Sequence, residues 1–316
     1  MRRAGSSGFP RSNSVCAVPA RYSLQPKSLD AHGIMDNKFH MDEFMQSFFH
    51  SSSTSPKGPK AAMTRIPLHD ANNMPLQAPL IPDPFVPYEC PGNRSLHAIC
   101  QGDPAILGQY LENTPFTLAG DRFLVYVSDF TNCRKAPFMD AGIVIPVRFG
   151  DREGGYFLFE YEDNDAAIAA GRDLWGYPKK FGTIELIERT GGAMASVVRH
   201  GVPLITIDCT FDGTQAEPLK TTPHLNIHIQ PAPDGKILNK RVIARDTSPD
   251  FRMTSCRWGS AAVSLGALAT DPLSPLGPVR VLAANYVIGD FFATEQNGWG
   301  KTIANLVTNG IPVEGA

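Results

Sequence analysis

Residues 171–182 read Gly-Arg-Asp-Leu-Trp-Gly-Tyr-Pro-Lys-Lys-Phe-Gly, and the two adjacent lysines carry the chemistry most worth testing. Lys179 and Lys180 follow a proline and lie among Leu174, Trp175, Tyr177 and Phe181. An ammonium group is normally solvated. Apolar surroundings disfavour its charged form, and so does a second cation beside it. Both effects push one lysine toward the free amine, which can attack a ketone and form a Schiff base. The same residues also read as a solvated turn with two surface lysines, and spacing alone leaves both readings open.

The elements that would hold these lysines are mostly strands. Residues 122–128, 142–149, 156–162, 181–188, 193–199, 204–211, 224–229 and 279–288 are short runs rich in Val, Ile, Phe and Tyr. Turn signals such as Gly191-Gly192, Asp212-Gly213 and Pro233-Asp234-Gly235 separate them. This pattern predicts a mainly β (α+β) fold, an antiparallel sheet curled into a closed barrel-like domain with a few short peripheral helices. There is no βαβ rhythm and no glycine loop that would cradle a phosphate. Asp103-Pro104 opens one helix as N-cap and first-turn proline. Residues 164–170 make a second, with Gly171 as its expected C-terminal cap. The lysines would then follow a helix and precede a strand, at a barrel rim or interior suited to a small ligand.

Composition narrows the partners. The formal net charge of −2 gives no general attraction to nucleic acid or to an anionic membrane. No apolar run approaches the roughly eighteen residues of a spanning helix. The six cysteines form no C-x-x-C pair and no metal-ligand spacing with histidine, so reduced, scattered thiols of a cytoplasmic protein are expected. His224 and His228 would share a face of a helix, but the alternation around them is that of a strand, and no metal is expected there. Residues 1–84 differ from the rest: they are rich in Ser, Pro, Gly and Asn and read as a largely disordered or linker-like arm. Within them residues 39–50 read as a short helix, residues 51–60 as a linker, and Met35 as a candidate start. Residues 85–316 read as the folded domain.

The segment Gly171-Arg172-Asp173 with Tyr177-Pro178-Lys179-Lys180-Phe181-Gly182 resembles the signature of the acetoacetate decarboxylase family. The likeness continues through Asn93-Arg94, Val144-Ile145-Pro146-Val147, the run from Tyr161 to Ile168, Pro223-His224-Leu225-Asn226, Trp258-Gly259 and Asp271-Pro272-Leu273. A lysine activated by desolvation or by an adjacent cation is the standing example this family provides, so its presence here is an implication of the resemblance. The resemblance implies that Lys179 is the nucleophile, with Lys180 a lesser influence on it than desolvation. It implies that Arg94 meets the substrate carboxylate and that Asp140 takes the place of an active-site glutamate. Val125 falls where the family has a second glutamate, which would remove one carboxylate from the cavity. The implied reaction is decarboxylation of a β-keto acid, such as acetoacetate to acetone and carbon dioxide, by a homo-oligomer needing no metal or organic cofactor. Two alternatives stand beside it: aldolase or dehydratase chemistry on a pyruvate-like acid through the same lysine, and a non-catalytic barrel that binds a small acid.

Overall fold

The computed structural model describes residues 72–315. The short helix read at 39–50, the linker at 51–60 and Met35 lie outside them. In chain order the strands are β1 (Tyr88–Gln101), β2 (Thr117–Leu118), β3 (Arg122–Phe130), β4 (Phe138–Phe149), β5 (Arg152–Glu162), β6 (Lys179–Phe181), β7 (Thr183–Arg189), β8 (Gly192–Arg199) and β9 (Val202–Thr210). They continue as β10 (His224–Pro231), β11 (Ile237–Arg245), β12 (Arg252–Leu265), β13 (Ala267–Leu268), β14 (Asp271–Pro272), β15 (Arg280–Ala293), β16 (Lys301–Thr308) and β17 (Ile311–Pro312). The helices are α1 (Pro104–Gln109) and α2 (Asp165–Trp175).

One 15-stranded sheet runs in the order β17-β16-β11-β10-β5-β4-β3-β1-β15-β12-β9-β8-β7, with β2 on β4 and β6 on β5. The expected mainly β architecture is present, but the closed barrel is corrected: the path has two ends, β17 and β7, which do not pair with each other. Short strands and tight turns report that neighbours pair antiparallel. They do not report whether the first and last strands meet, because closure depends on strand tilt and stagger summed around the whole sheet. Here the sheet folds over, and β7 packs against β3, β4 and β5. Strands β1, β11, β12 and β16 are absent from the sequence reading; β1, for instance, is interrupted by Pro91-Gly92, and its register slips between Cys90 and Asn93.

Two cores result. The larger fills the inside of the folded sheet with Leu96, Phe123, Val125, Ile143, Ile145, Tyr161 and Ile205 among others. The smaller lies on the other face of β3, β4 and β5, under α2, and contains Tyr126, Phe138, Phe157, Trp175 and Tyr177. Alternation along each strand assigns residues to one core or the other. In β5 a register shift interrupts it: Ile143 pairs with Phe159 and Val144 with Phe157, leaving Leu158 as the extra residue of a bulge. The bulge sets Phe157 on the same face as Glu160 and Glu162, and that face carries the candidate site.

Candidate active site

The lysine is placed by a short crossover, β5–α2–β6, in which β6 runs parallel to β5. This is the exception to the antiparallel reading, along with a single parallel pairing of His224 to Gly155. Helix α2 starts where Asn164 accepts a hydrogen bond from the Ala167 amide at 3.1 Å. It ends at Gly176, whose φ of 70° is the left-handed geometry that favours glycine. The expected cap at Gly171 is therefore one turn too early. Gly171 sits inside the helix for a different reason: a Cβ there would overlap Cδ and Cε of Lys179. A mid-helix glycine costs about 1 kcal/mol relative to alanine, and the space it leaves is filled by the lysine stem. Gly171→Ala should thus leave the fold intact yet displace Lys179, lowering the rate of imine trapping by at least tenfold; borohydride trapping alongside a melting curve measures both.

Lys179 is buried, with its Nζ 5.4 Å from the Phe138 ring centroid and 5.3 Å from that of Tyr177. Sheet register brings three acids to it. Glu160 is its direct partner across β5 and β6, Asp140 faces Glu162 across β4 and β5, and all lie on one face. Nζ donates to Glu162 Oε1 and stands 3.5 Å from Glu160. The carboxylates of Asp140, Glu160 and Glu162 lie within 4.8 Å of one another, a spacing that would suit a cation. The ammonium of Lys179 occupies that role. Tyr126 donates to Asp140 at 3.1 Å and approaches Glu160 at 3.4 Å.

The electrostatics reverse the sequence-based expectation. Burial pulls the lysine toward the free amine, but Glu160, Glu162 and Asp140 outweigh it and hold Nζ protonated beyond the ordinary lysine range. The acids are raised in turn by their own burial: Glu162 to about 8, Glu160 well above the usual carboxylate range, and Asp140 upward. Three mutually close buried carboxylates and one ammonium do not all stay ionised. Glu162, which accepts directly from Nζ, is the acid placed to take the proton when the amine is freed.

The cavity in front of Lys179 measures about 80 Å³ and is walled by Phe138, Phe157, Trp175, Tyr177, His224 and Arg245. A wider chamber of about 410 Å³ shares Asp140, Phe157 and His224 with it and extends past Ser95, His97 and Asn285. His224 is held near a pKa of about 3 by burial and by the charges of Arg245 and Lys179, so its imidazole is neutral. The Tyr177 hydroxyl lies 2.6 Å from His224 Nδ1 and 3.4 Å from Arg245 Nη1. It accepts from the guanidinium and is hydrogen-bonded to the imidazole, linking Arg245 to His224.

Several residues chosen from sequence fall elsewhere. Lys180 points to the opposite face of β6, as alternation requires, and donates to Asp271 Oδ1 at 2.8 Å. The fully buried Asp271 also accepts from Tyr161 at 3.0 Å and faces Arg199 at 3.3 Å. Lys180 is thus not brought to the cavity. Lys180→Met should cost about 1–3 kcal/mol of stability, the range for a buried group losing a partner, while leaving borohydride trapping on Lys179 unchanged. Arg94 also faces away: it pairs with Asp129, its side chain is 44% exposed, and it does not line the cavity. Of the expected apolar wall, Trp175 and Tyr177 line the cavity, whereas Phe181 is exposed. Val125 lies in the larger core, on the face away from the site. The acids missed from sequence, Glu160 and Glu162, had a signal: they are two apart at the end of a strand whose preceding residues, Tyr156 to Phe159, are aromatic or aliphatic, which puts both on one buried face.

The model of the acetoacetate decarboxylase (ADC) family matches residues 73–298. The acetoacetate decarboxylase of Clostridium beijerinckii is 27% identical over 161 residues, 48% of this chain and 64% of that enzyme. That of Ralstonia nicotianae is 27% identical over 158 residues, with the same coverage. The chain therefore spans less than two thirds of the length of these relatives. Among solved structures, an acetoacetate decarboxylase superposes with a TM-score of 0.66 at 20% identity, covering 74% of this chain and 96% of that one. The enduracididine biosynthesis enzyme MppR complexed with pyruvate gives 0.61 at 15% identity, covering 74% and 97%. These two likenesses concern the fold. No helix among the described residues is long and apolar enough to cross a membrane. With the family model matching most of the described residues in an unbroken span, and with those relatives beside it, the chain belongs to the acetoacetate decarboxylase family.

Proposed function

We propose that this protein is a Schiff-base-forming lyase that decarboxylates a β-keto acid through an imine on Lys179. The observation that carries the reading is a single buried lysine at the end of a small cavity, bonded to one of three buried acids. Lys179 passes a proton to Glu162 and its amine attacks the keto carbon. The carbinolamine loses water and leaves a protonated imine. The bond to the carboxylate carbon breaks, its electron pair moves to the imine nitrogen, and carbon dioxide departs. The resulting enamine takes a proton on carbon, and water then releases the ketone and restores the amine. Asp140, Glu160 and Glu162 supply and accept these protons. Tyr177 and Phe138 keep water from the amine, which prevents early hydrolysis.

Acetoacetate is the substrate that the relatives' names suggest, and the adjoining chamber of about 410 Å³ leaves room for larger acyl groups. That chamber also favours a second reading, in which the same lysine activates a pyruvate-like acid and the chamber receives an aldehyde partner. A panel of α- and β-keto acids, with carbon dioxide release followed alongside borohydride trapping, tests both. Trapped adduct with carbon dioxide supports decarboxylation, and adduct without it supports the aldol reading. No adduct with any keto acid would leave only a binding role.

A further inference from the structure

The cavity contains a second cation that the proposed chemistry does not use. Arg245 ends β11 and is 7% exposed. Its guanidinium stacks on Trp175 at 4.0 Å from the ring centroid. Nε donates to the Gly298 carbonyl at 2.6 Å, Nη1 to Tyr177 at 3.4 Å and Nη2 to Tyr88 at 3.1 Å. A guanidinium has five N–H donors, so one hydrogen on each terminal nitrogen has no acceptor. Among the described residues no carboxylate pairs with Arg245. A buried charge without a counter-ion is costly, and aromatic stacking offsets only part of the cost.

We infer that Arg245, and not Arg94, is the cation that meets the carboxylate of the substrate. This rests on the lysine reading above and deepens it. Lys179 and Arg245 line the same cavity, with Tyr177 between them: its ring faces the amine and its hydroxyl touches the guanidinium. The lysine end is crowded with acids and repels a second carboxylate. The arginine end has none, so a keto acid enters with its carbonyl toward Lys179 and its carboxylate toward Arg245. Arg94 already has Asp129 as counter-ion and lies outside the cavity. Nothing in the family signature around the lysines marks Arg245. It is recognised only when β11 is folded beside α2.

The test compares acetoacetate with the neutral diketone acetylacetone, which also condenses with an amine, in the wild type, Arg245→Gln, Arg245→Lys and Arg94→Gln. Trapping on Lys179 is followed by mass spectrometry, and binding of the unreactive acid butyrate by calorimetry. In Arg245→Gln, trapping of acetoacetate should weaken by about 30-fold or more, the loss typical of a shielded charge pair, while trapping of the diketone changes little. Arg245→Lys should recover part of the loss, and it carries the test if the glutamine variant does not fold. Arg94→Gln should resemble the wild type. Equal losses for both ligands, no loss for either, or the loss appearing in Arg94→Gln would overturn the inference. If the wild type traps neither ligand, the lysine reading fails. Butyrate binding that disappears in Arg245→Gln would then still uphold the carboxylate site, and butyrate binding that persists there, or is absent from the wild type, would reject it.

Discussion

Lys179→Ala is expected to abolish the borohydride adduct with every keto acid and to lower the decarboxylation rate by more than about a thousandfold, the scale on which removing a nucleophile acts. The expectation follows from position. Lys179 is the lysine whose amine reaches the cavity, while Lys180 is tied to Asp271 on the other face of the strand. Loss of the ammonium also leaves Asp140, Glu160 and Glu162 without their cation. These acids respond by taking up protons, since burial already raises each of them. The variant should therefore fold at mildly acidic pH and weaken as pH rises and the acids are forced to ionise. Lys179→Arg keeps a cation among the acids and cannot form the imine, so it separates loss of chemistry from loss of fold. The measurement is intact mass after reduction, with turnover followed by carbon dioxide release. An adduct of unchanged yield in Lys179→Ala, or one found on Lys180 in the wild type, would remove Lys179 from its role.

The lysine that lines the cavity was legible because its signal is local: a proline, two lysines and aromatic neighbours within a dozen residues. Strands such as β3, β4, β5 and β9 were legible for the same reason, since alternation and turn residues act over a few positions. What failed was information carried between elements. Sheet closure depends on the summed stagger of all strands, and the chain leaves the two ends apart. The faces of Arg94 and Val125 depend on register, and both turn away from the cavity. The bulge at Leu158 shifts the face of Phe157 relative to its neighbours, which a strict period of two cannot show. Arg245 is more than sixty residues from the lysines in sequence, and only the packing of β11 under α2 makes it part of the site. Gly171 was read as a stop signal, the usual meaning of glycine near a helix end, when its function is to leave room for Lys179.

The largest disagreement between sequence and structure concerns what sets the charge of Lys179, and Glu162→Gln decides it. From sequence, apolar burial and Lys180 both pull the lysine toward the free amine. In the structure burial still does so, but the acids outweigh it. Glu162 is the acid that accepts directly from Nζ. Removing an opposite charge at such range lowers a lysine pKa by about 1–3 units. Imine formation requires the free amine, so its rate climbs with pH through the pKa of that amine. In Glu162→Gln this climb should therefore move to lower pH, by about 1–3 units. Trapping at neutral pH should speed up. Turnover should nevertheless fall, because the carboxylate that receives the proton from Nζ and returns it to later intermediates is gone. The two readouts moving in opposite directions is the signature of a group that both restrains and serves the nucleophile. Lys180→Met should move neither, since Lys180 lies across the strand with Asp271. If the climb stays in place for Glu162→Gln and shifts to higher pH for Lys180→Met, the neighbouring cation controls the amine, and the acid cluster is reduced to a structural role.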